Sequence, residues 1–301
     1  MIKRRYTGAK PKTILPEGTV DTQLHLYMPG FPAQPGGPAL PDGLPGPAEY
    51  RQVIDWLGID RLVVTQGNAH QKDNGNTCAI LGEMGEIARG VAVISPDTPD
   101  KTLASLHSKG VRGARIMDLP GGAVGLDQIA GVDERAQVMN WVLAVQFDGS
   151  DIAQHHDLLA SLRSFWILDH HGKFLRGAEP DGPEVDMVKR FIDSGRCWFK
   201  CSGCYESSHV GGPDYPDIAA VTRVIADYAP ERIIWGTNFP HNFAQTTEDY
   251  PDDAALLDVS MSWLPDDRAR HLALVRNPEE LFDFPPISEK KSCVSRLLRG
   301  T

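Results

Sequence analysis

Ile233-Ile234-Trp235-Gly236-Thr237-Asn238-Phe239-Pro240-His241 reads as a short strand that stops abruptly. The apolar run favours extended backbone, and the Gly, Asn and Pro after it end the strand. Asn238 and His241 are therefore expected at or just past its carboxyl end. In a closed parallel sheet, that end is where the chemistry is placed.

Working back from this stretch, seven more apolar, β-branched runs recur, at 20–25, 61–66, 91–95, 113–118, 142–148, 166–171 and 198–202. Helical stretches are predicted between them at 48–57, 77–88, 99–108, 133–141, 152–162, 183–194 and 217–228, several opening on Pro, Asp or Thr. An eighth falls between 252 and 275, in two pieces around Pro265. Strict strand–helix alternation gives a parallel sheet, and eight units predict an α/β fold, a (β/α)8 TIM barrel in one domain. An open doubly wound sheet is the alternative, but no Gly-rich phosphate-binding motif follows the first strand.

Three segments fall outside the repeat. Residues 1–17 carry Lys3, Arg4, Arg5, Lys10 and Lys12 without an apolar core, which excludes a secretory signal and predicts a flexible basic arm. Residues 28–47 hold seven prolines and five glycines, a composition closed to helix or central strand. A linker there would split the first βα unit, so a stiff loop over the barrel mouth is expected. The barrel is expected to span 18–284, followed by a basic mobile tail over 285–301 that contains Cys293.

Composition narrows the function classes. The 301 residues are 41% hydrophobic and 23% charged, with a net charge of −10, which argues against nucleic acid or an anionic membrane as partner. No run approaches the roughly 18 apolar residues of a membrane span. Five cysteines, an odd number, in a chain large enough to fold without staples point to a reducing cytoplasm. Cys201-Ser-Gly-Cys204 lacks a second pair and reads more readily as structural than as zinc-binding or redox-active.

Polar side chains gather where the strands end. Gln23 and His25 are two apart and share a face, expected together with Asp21, while Val20, Thr22 and Leu24 pack the other. Arg115, Gln146, Asp169-His170-His171-Gly172-Lys173, Lys200, Tyr205 and Glu206 recur near the carboxyl ends of otherwise apolar runs. Buried polar groups are costly unless used, so their recurrence at one end predicts a site.

Asp-Thr-Gln-Leu-His at 21–25, Gln-Gly-Asn-Ala-His-Gln-Lys-Asp-Asn at 66–74, Asp-His-His-Gly-Lys at 169–173 and Trp-Gly-Thr-Asn-Phe-Pro-His at 235–241 resemble the amidohydrolase superfamily, and within it the metal-independent lactone branch. The superfamily's metal-binding members use His-x-His on strand one and an Asp on strand eight, where this chain has Gln23 and Asn238; Gln146 stands at the fifth-strand position. Amides are poor ligands for a divalent cation, so no metal and no other cofactor is expected.

The resemblance implies a small-molecule partner, a sugar-acid lactone, and an isomerase in which a substrate hydroxyl attacks the lactone carbonyl. Hydrolysis by a related lactonase, or binding without turnover, are the alternatives. It further implies catalytic roles for His25, His170 and Asn238, with Arg115 clamping a free carboxylate bidentately and Lys200 adding charge. Gln23, Gln66, His70, Asn74, Gln146, Tyr205 and His241 complete the substrate-binding set it implies.

Overall fold

The computed structural model describes residues 2–287; Cys293 and the expected tail from 288 onward lie outside them. Eight strands follow in order: β1 (Val20–Leu24), β2 (Arg61–Thr65), β3 (Ala88–Ala92), β4 (Val111–Met117), β5 (Val142–Gln146), β6 (Trp166–Leu168), β7 (Cys197–Cys201) and β8 (Ile233–Trp235). Each pairs in parallel with the next, in the order β1 to β8. The ring closes where Asn238 N–H donates to the Gln23 carbonyl (2.8 Å) and His25 N–H donates to the Phe239 carbonyl (2.7 Å). The fold is a (β/α)8 barrel, and the seam that shuts it is built from site residues.

The helices are α1 (Pro47–Leu57), α2 (Gly75–Met84), α3 (Asp100–Ser108), α4 (Ile129–Met139), α5 (His156–Ala160), α6 (Pro183–Asp193), α7 (Pro216–Tyr228), α8 (Asp253–Met261), α9 (Asp267–His271) and α10 (Asn277–Phe282). Their ends follow local chemistry. Pro47 opens α1, and the Glu49 carboxylate accepts the Gly46 N–H at 2.9 Å. Asp252 caps α8 and Asp266 caps α9, so the eighth helical stretch does break around Pro265.

Several boundaries differ from expectation, three of them for a visible reason or with a marked loss of length. The helix predicted over 77–88 stops at Met84 because Gly85 turns out at φ 67°, which lets β3 begin at Ala88. The sixth strand ends at Leu168, because His170, His171, Gly172 and Lys173 all take positive φ. The helix predicted over 152–162 forms only at His156–Ala160.

Inside the barrel the lower layer is apolar: Val20, Val63, Val91, Val142, Ile167, Trp198 and Ile234 pack with Phe282 and Phe284, which close the bottom. Gln23, Arg115, Gln146, Asp169 and Lys200 are all buried above them. A register shift between Asp21 and Leu24 corrects the expected facing of β1. Val20 and Gln23 both point inward, and Leu24 joins the outer core under the helices. Asp21 instead accepts hydrogen bonds from the Tyr50 hydroxyl of α1 (2.6 Å) and from Thr237 N–H (3.0 Å).

The basic arm is tied down rather than loose. Trp56 Nε1–H donates to the Ala9 carbonyl (2.7 Å), Asp258 accepts from Lys12 and Thr13 N–H, and Arg5 pairs with Asp252. The Pro/Gly loop of 28–47 lies on the loop after β2, where Gln34 N–H donates to the Ala69 carbonyl (2.7 Å). Both observations follow from hydrogen-bonding needs that composition does not register. A groove of about 1420 Å³ lies at the opposite, amino-terminal end beside Lys10, Trp56 and Glu279. The converging polar groups are at the carboxyl ends, so the chemistry is sought there.

Candidate active site

His25 and His170 present the same tautomer. His25 Nδ1–H donates to the Thr65 carbonyl (2.8 Å) and His170 Nδ1–H donates to the Ser202 carbonyl (3.3 Å), because a carbonyl can only accept. Each Nε2 is left as an acceptor, with no donor among the described residues. Burial, reinforced by the Arg115 charge, pushes the His25 imidazolium down to about 3. Burial also holds His170 well below the usual imidazole range, against the opposing Asp169 charge. Both rings are neutral bases at ordinary pH.

His170 owes its position to strain. Four consecutive residues, His170 to Lys173, sit at φ 52°, 55°, 80° and 44°, a conformation that costs each non-glycine residue roughly 1 kcal/mol or more. Surrounding contacts hold the turn: the Lys173 ammonium pairs with Glu206, and His171 Nδ1 meets the Thr222 hydroxyl at 2.8 Å.

Asn238 is oriented from the loop after β7. That loop turns at Gly203 (φ 61°), where a Cβ would lie 2.7 Å from Asn238 Nδ2 and 3.1 Å from His170 Nδ1. Only glycine lets the two side chains come together there. The following turn delivers Tyr205 and Glu206, whose Oη and Oε1 accept from Asn238 Nδ2 at 2.9 and 2.7 Å. A carboxylate cannot donate, so the amide's NH₂ faces Glu206 and its Oδ1 faces the other way.

A buried hydrogen-bond chain backs this arrangement. The Tyr205 hydroxyl, already accepting from Asn238, donates to His241 Nδ1 (2.7 Å), and His241 Nε2–H donates to Asp253 Oδ1 (3.0 Å). Both His241 nitrogens are engaged and the residue is 1% exposed. Its bonds place it behind Tyr205, between that hydroxyl and Asp253.

Arg115 is buried without a carboxylate partner among the described residues. One nitrogen, Nη1, donates to the Gln66 carbonyl (2.6 Å) and Asn68 Oδ1 (2.7 Å). Nη2 has only longer contacts, 3.3 Å to Gln146 Oε1 and 3.4 Å to Met117 Sδ. Burial pulls its pKa below the usual guanidinium value, the sign of a desolvated cation. Nη1 is committed, while Nη2 has only the long contacts and the buried Nε has no partner among the described residues, so that edge of the guanidinium is the end open to an anion. Lys200 is the opposite case: Nζ lies 2.7 Å from Asp169 Oδ1 and 2.9 Å from Gln23 Oε1, so its charge is neutralised inside the barrel.

The amidohydrolase family's sequence profile matches residues 20–284. The chain belongs to the amidohydrolase family. It is 54% identical to D-galactarolactone isomerase of Agrobacterium fabrum over 285 residues, 94% of this chain and 97% of that protein. It is 28% identical to a 2-pyrone-4,6-dicarboxylate hydrolase of Comamonas testosteroni over 291 residues, covering 91% and 93% of the two chains. An apo crystal structure from Agrobacterium tumefaciens, 54% identical, superposes with a TM-score of 0.93 over 94% of this chain and all of that one.

The donor set of this amidohydrolase does not fit a divalent metal. Gln23 Oε1 already accepts from the Lys200 ammonium, a cation standing where a ligand should face one. Asn238 presents its NH₂ to its neighbours. Among the described residues no group of three or more His, Cys, Asp or Glu side chains converges. No step below passes through a metal.

Three expected sugar readers are otherwise engaged. Gln66 Nε2 donates to the Gln71 and Asp73 carbonyls (3.2 and 2.7 Å), and its Oε1 accepts from Thr77. Asn74 exchanges both amide groups with the Val93 backbone, at 2.8 and 2.9 Å. His70 donates to the Pro32 carbonyl (3.3 Å), beneath the Pro/Gly loop. They build the loop that carries Asn68 to Arg115. Their sequence pattern resembled a binding motif, but which side chain turns inward depends on loop hydrogen bonds. Asp253 is the functional neighbour missed, and Glu206 and Lys173, expected at the strand ends, had no partner assigned; that a carboxylate accepts from a neighbouring amide has no sequence signature.

The buried histidines predict a pH dependence of stability. His25 and His171 are both pushed by burial to about 3, whereas unfolded histidine titrates near 6.5. Below about 6.5 the unfolded chain takes up protons that the folded one refuses, so stability falls on acidification towards 3. Asp21, raised by burial to about 6, opposes this between about 4 and 6. Urea unfolding of His171→Asn is expected to show a slope between pH 5 and 6 shallower by about 1 kcal/mol per unit. Parallel slopes for variant and wild type would refute this assignment.

Proposed function

We propose that this amidohydrolase is a lactone isomerase that converts D-galactaro-1,5-lactone to D-galactaro-1,4-lactone by intramolecular attack of a substrate hydroxyl. The observation that carries the reading is Asn238, an amide with its NH₂ held by Tyr205 and Glu206, at the strand-eight position where a water-activating carboxylate would stand. An amide has no basic lone pair near neutral pH, so water is left unactivated. A hydroxyl already held against the carbonyl does not need that help: effective molarities for oriented groups reach roughly 10⁵ M or more.

The steps balance without water. The C4 hydroxyl oxygen attacks C1, its proton passes to a neutral imidazole Nε2, and the C1–O5 bond then breaks as O5 takes the proton back. His170, beside Asn238 across Gly203, suits this shuttle, and His25 is the second acceptor. Their tautomers favour proton transfer over carbonyl polarisation, because each N–H is already engaged. Asn238 Oδ1 accepts from and aligns the reacting hydroxyl. Arg115 Nη2 holds the free carboxylate as a charge partner. Gln23 and Gln146 are inward-facing amides below them. The four described cysteines are free thiols, three of them buried, in keeping with a reducing cytoplasm. No helix among the described residues is long and apolar enough to cross a membrane.

Proton NMR of freshly prepared galactaro-1,5-lactone tests the reading. The 1,4-lactone is expected first, at the same rate with and without a strong chelator. Free galactarate appearing first would make the protein a lactonase, and no change over the spontaneous rate would make it a binder.

A further inference from the structure

We infer that Glu206 is a specificity-determining residue for isomerisation over hydrolysis in that its carboxylate matches an amide at position 238 and would hold an acid placed there protonated, so that replacing Asn238 by aspartate does not by itself create a base. The inference rests on the isomerase reading above and concerns what enforces it.

Glu206 Oε1 lies 2.7 Å from Asn238 Nδ2, and Oε2 pairs with Lys173, both Glu206 and Lys173 side chains being 5% exposed. The contact reads an amide: a carboxylate acceptor meets an NH₂ donor. An aspartate in the same pose would bring two carboxylate oxygens to hydrogen-bond distance in a buried site. Two such groups cannot both ionise, so they share one proton, and the pair's second ionisation moves up.

The other charges nearby do not cancel this. Lys173 meets Oε2, the far oxygen, and is already paired with it. Tyr205 turns its hydroxyl hydrogen to His241, which is in turn bound to Asp253, so it presents only a lone pair to residue 238. His170, across Gly203, is held neutral by burial. Arg115 has its Nη1 tied to Gln66 and Asn68. The closest charge to position 238 is therefore negative, and Coulomb energy falls with distance. Restoring a strand-eight acid alone leaves it protonated and unable to activate water. Removing the Glu206 charge as well supplies a donor or frees Lys173, and both ionise the new acid.

Asn238→Asp and the double variant Asn238→Asp with Glu206→Gln test this. Selective ¹³C labelling of Asp in the folded proteins, titrated by NMR without substrate, reads the new carboxyl directly. In the single variant it is expected to titrate above the ordinary aspartate range, and in the double variant at least one unit lower. With galactaro-1,5-lactone, the ratio of free acid to 1,4-lactone among the first products is expected to stay within about threefold of wild type in the single variant. It should rise at least about tenfold in the double, one pKa unit being a factor of ten. An ordinary carboxyl titration in the single variant, or a single variant that hydrolyses as fast as the double, overturns the inference. A wild type that forms no 1,4-lactone overturns the isomerase reading instead, and the titration still decides the role of Glu206.

Discussion

Arg115→Met is expected to lower kcat/KM for the lactone by about 10²–10³-fold while leaving the fold as stable as wild type or more so. Activity and stability part company because the guanidinium is a buried cation without a carboxylate among the described residues. Burying an unpaired charge is unfavourable, and its pKa is drawn down by that burial. Methionine fills similar volume and removes the penalty, although the Gln66 carbonyl and Asn68 Oδ1 lose donors. Its buried charge is therefore suited to an incoming anion.

For the substrate the balance reverses. Truncating one partner of a buried, hydrogen-bonded charge pair costs about 2–5 kcal/mol, which sets the range of the expected loss. The effect should lie mainly in KM if Nη2 grips the carboxylate equally in ground and transition states, and in kcat if the grip aligns the hydroxyl. Steady-state kinetics by NMR and urea midpoints at one pH make the comparison. A variant that loses stability but keeps kcat/KM within about threefold would show that Arg115 is structural and that the substrate's carboxylate is bound elsewhere.

The fold was legible because it rests on alternation. Each short apolar run recurs on schedule, and burial of both strand faces needs little else. Identities that depend on one side chain's chemistry were legible too: the amide at Asn238, the histidines at 25 and 170, the arginine in β4. Facing was harder. The register shift in β1 turned Asp21 outward to Tyr50, and no periodicity announces a bulge. Loop residues were hardest, since Gln66, His70 and Asn74 look alike as sugar readers or as loop clamps until their partners are known. The same limit applies to Lys200: a lysine inside a strand signals a buried charge but not which carboxylate neutralises it.

Lys200→Met separates these two uses of a buried cation. Its ammonium is fully buried and the Asp169 side chain 1% exposed, with 2.7 Å between Nζ and Oδ1. Removing the lysine leaves Asp169 as an uncompensated carboxylate under the site, and breaking such a pair costs about 3–5 kcal/mol. Pairing it with Asp169→Asn is expected to recover most of that loss, because replacing both ions by neutral groups of similar size is often nearly neutral. Urea unfolding of the two single variants and the double gives the coupling energy. The catalytic readout then decides what the lysine is for. If Lys200 only balances Asp169, the double variant keeps kcat/KM within about tenfold of wild type, well short of the Arg115 effect. If the double variant recovers its stability but falls as far as Arg115→Met, the ammonium reaches the substrate, and the site binds its anion with two cations rather than one.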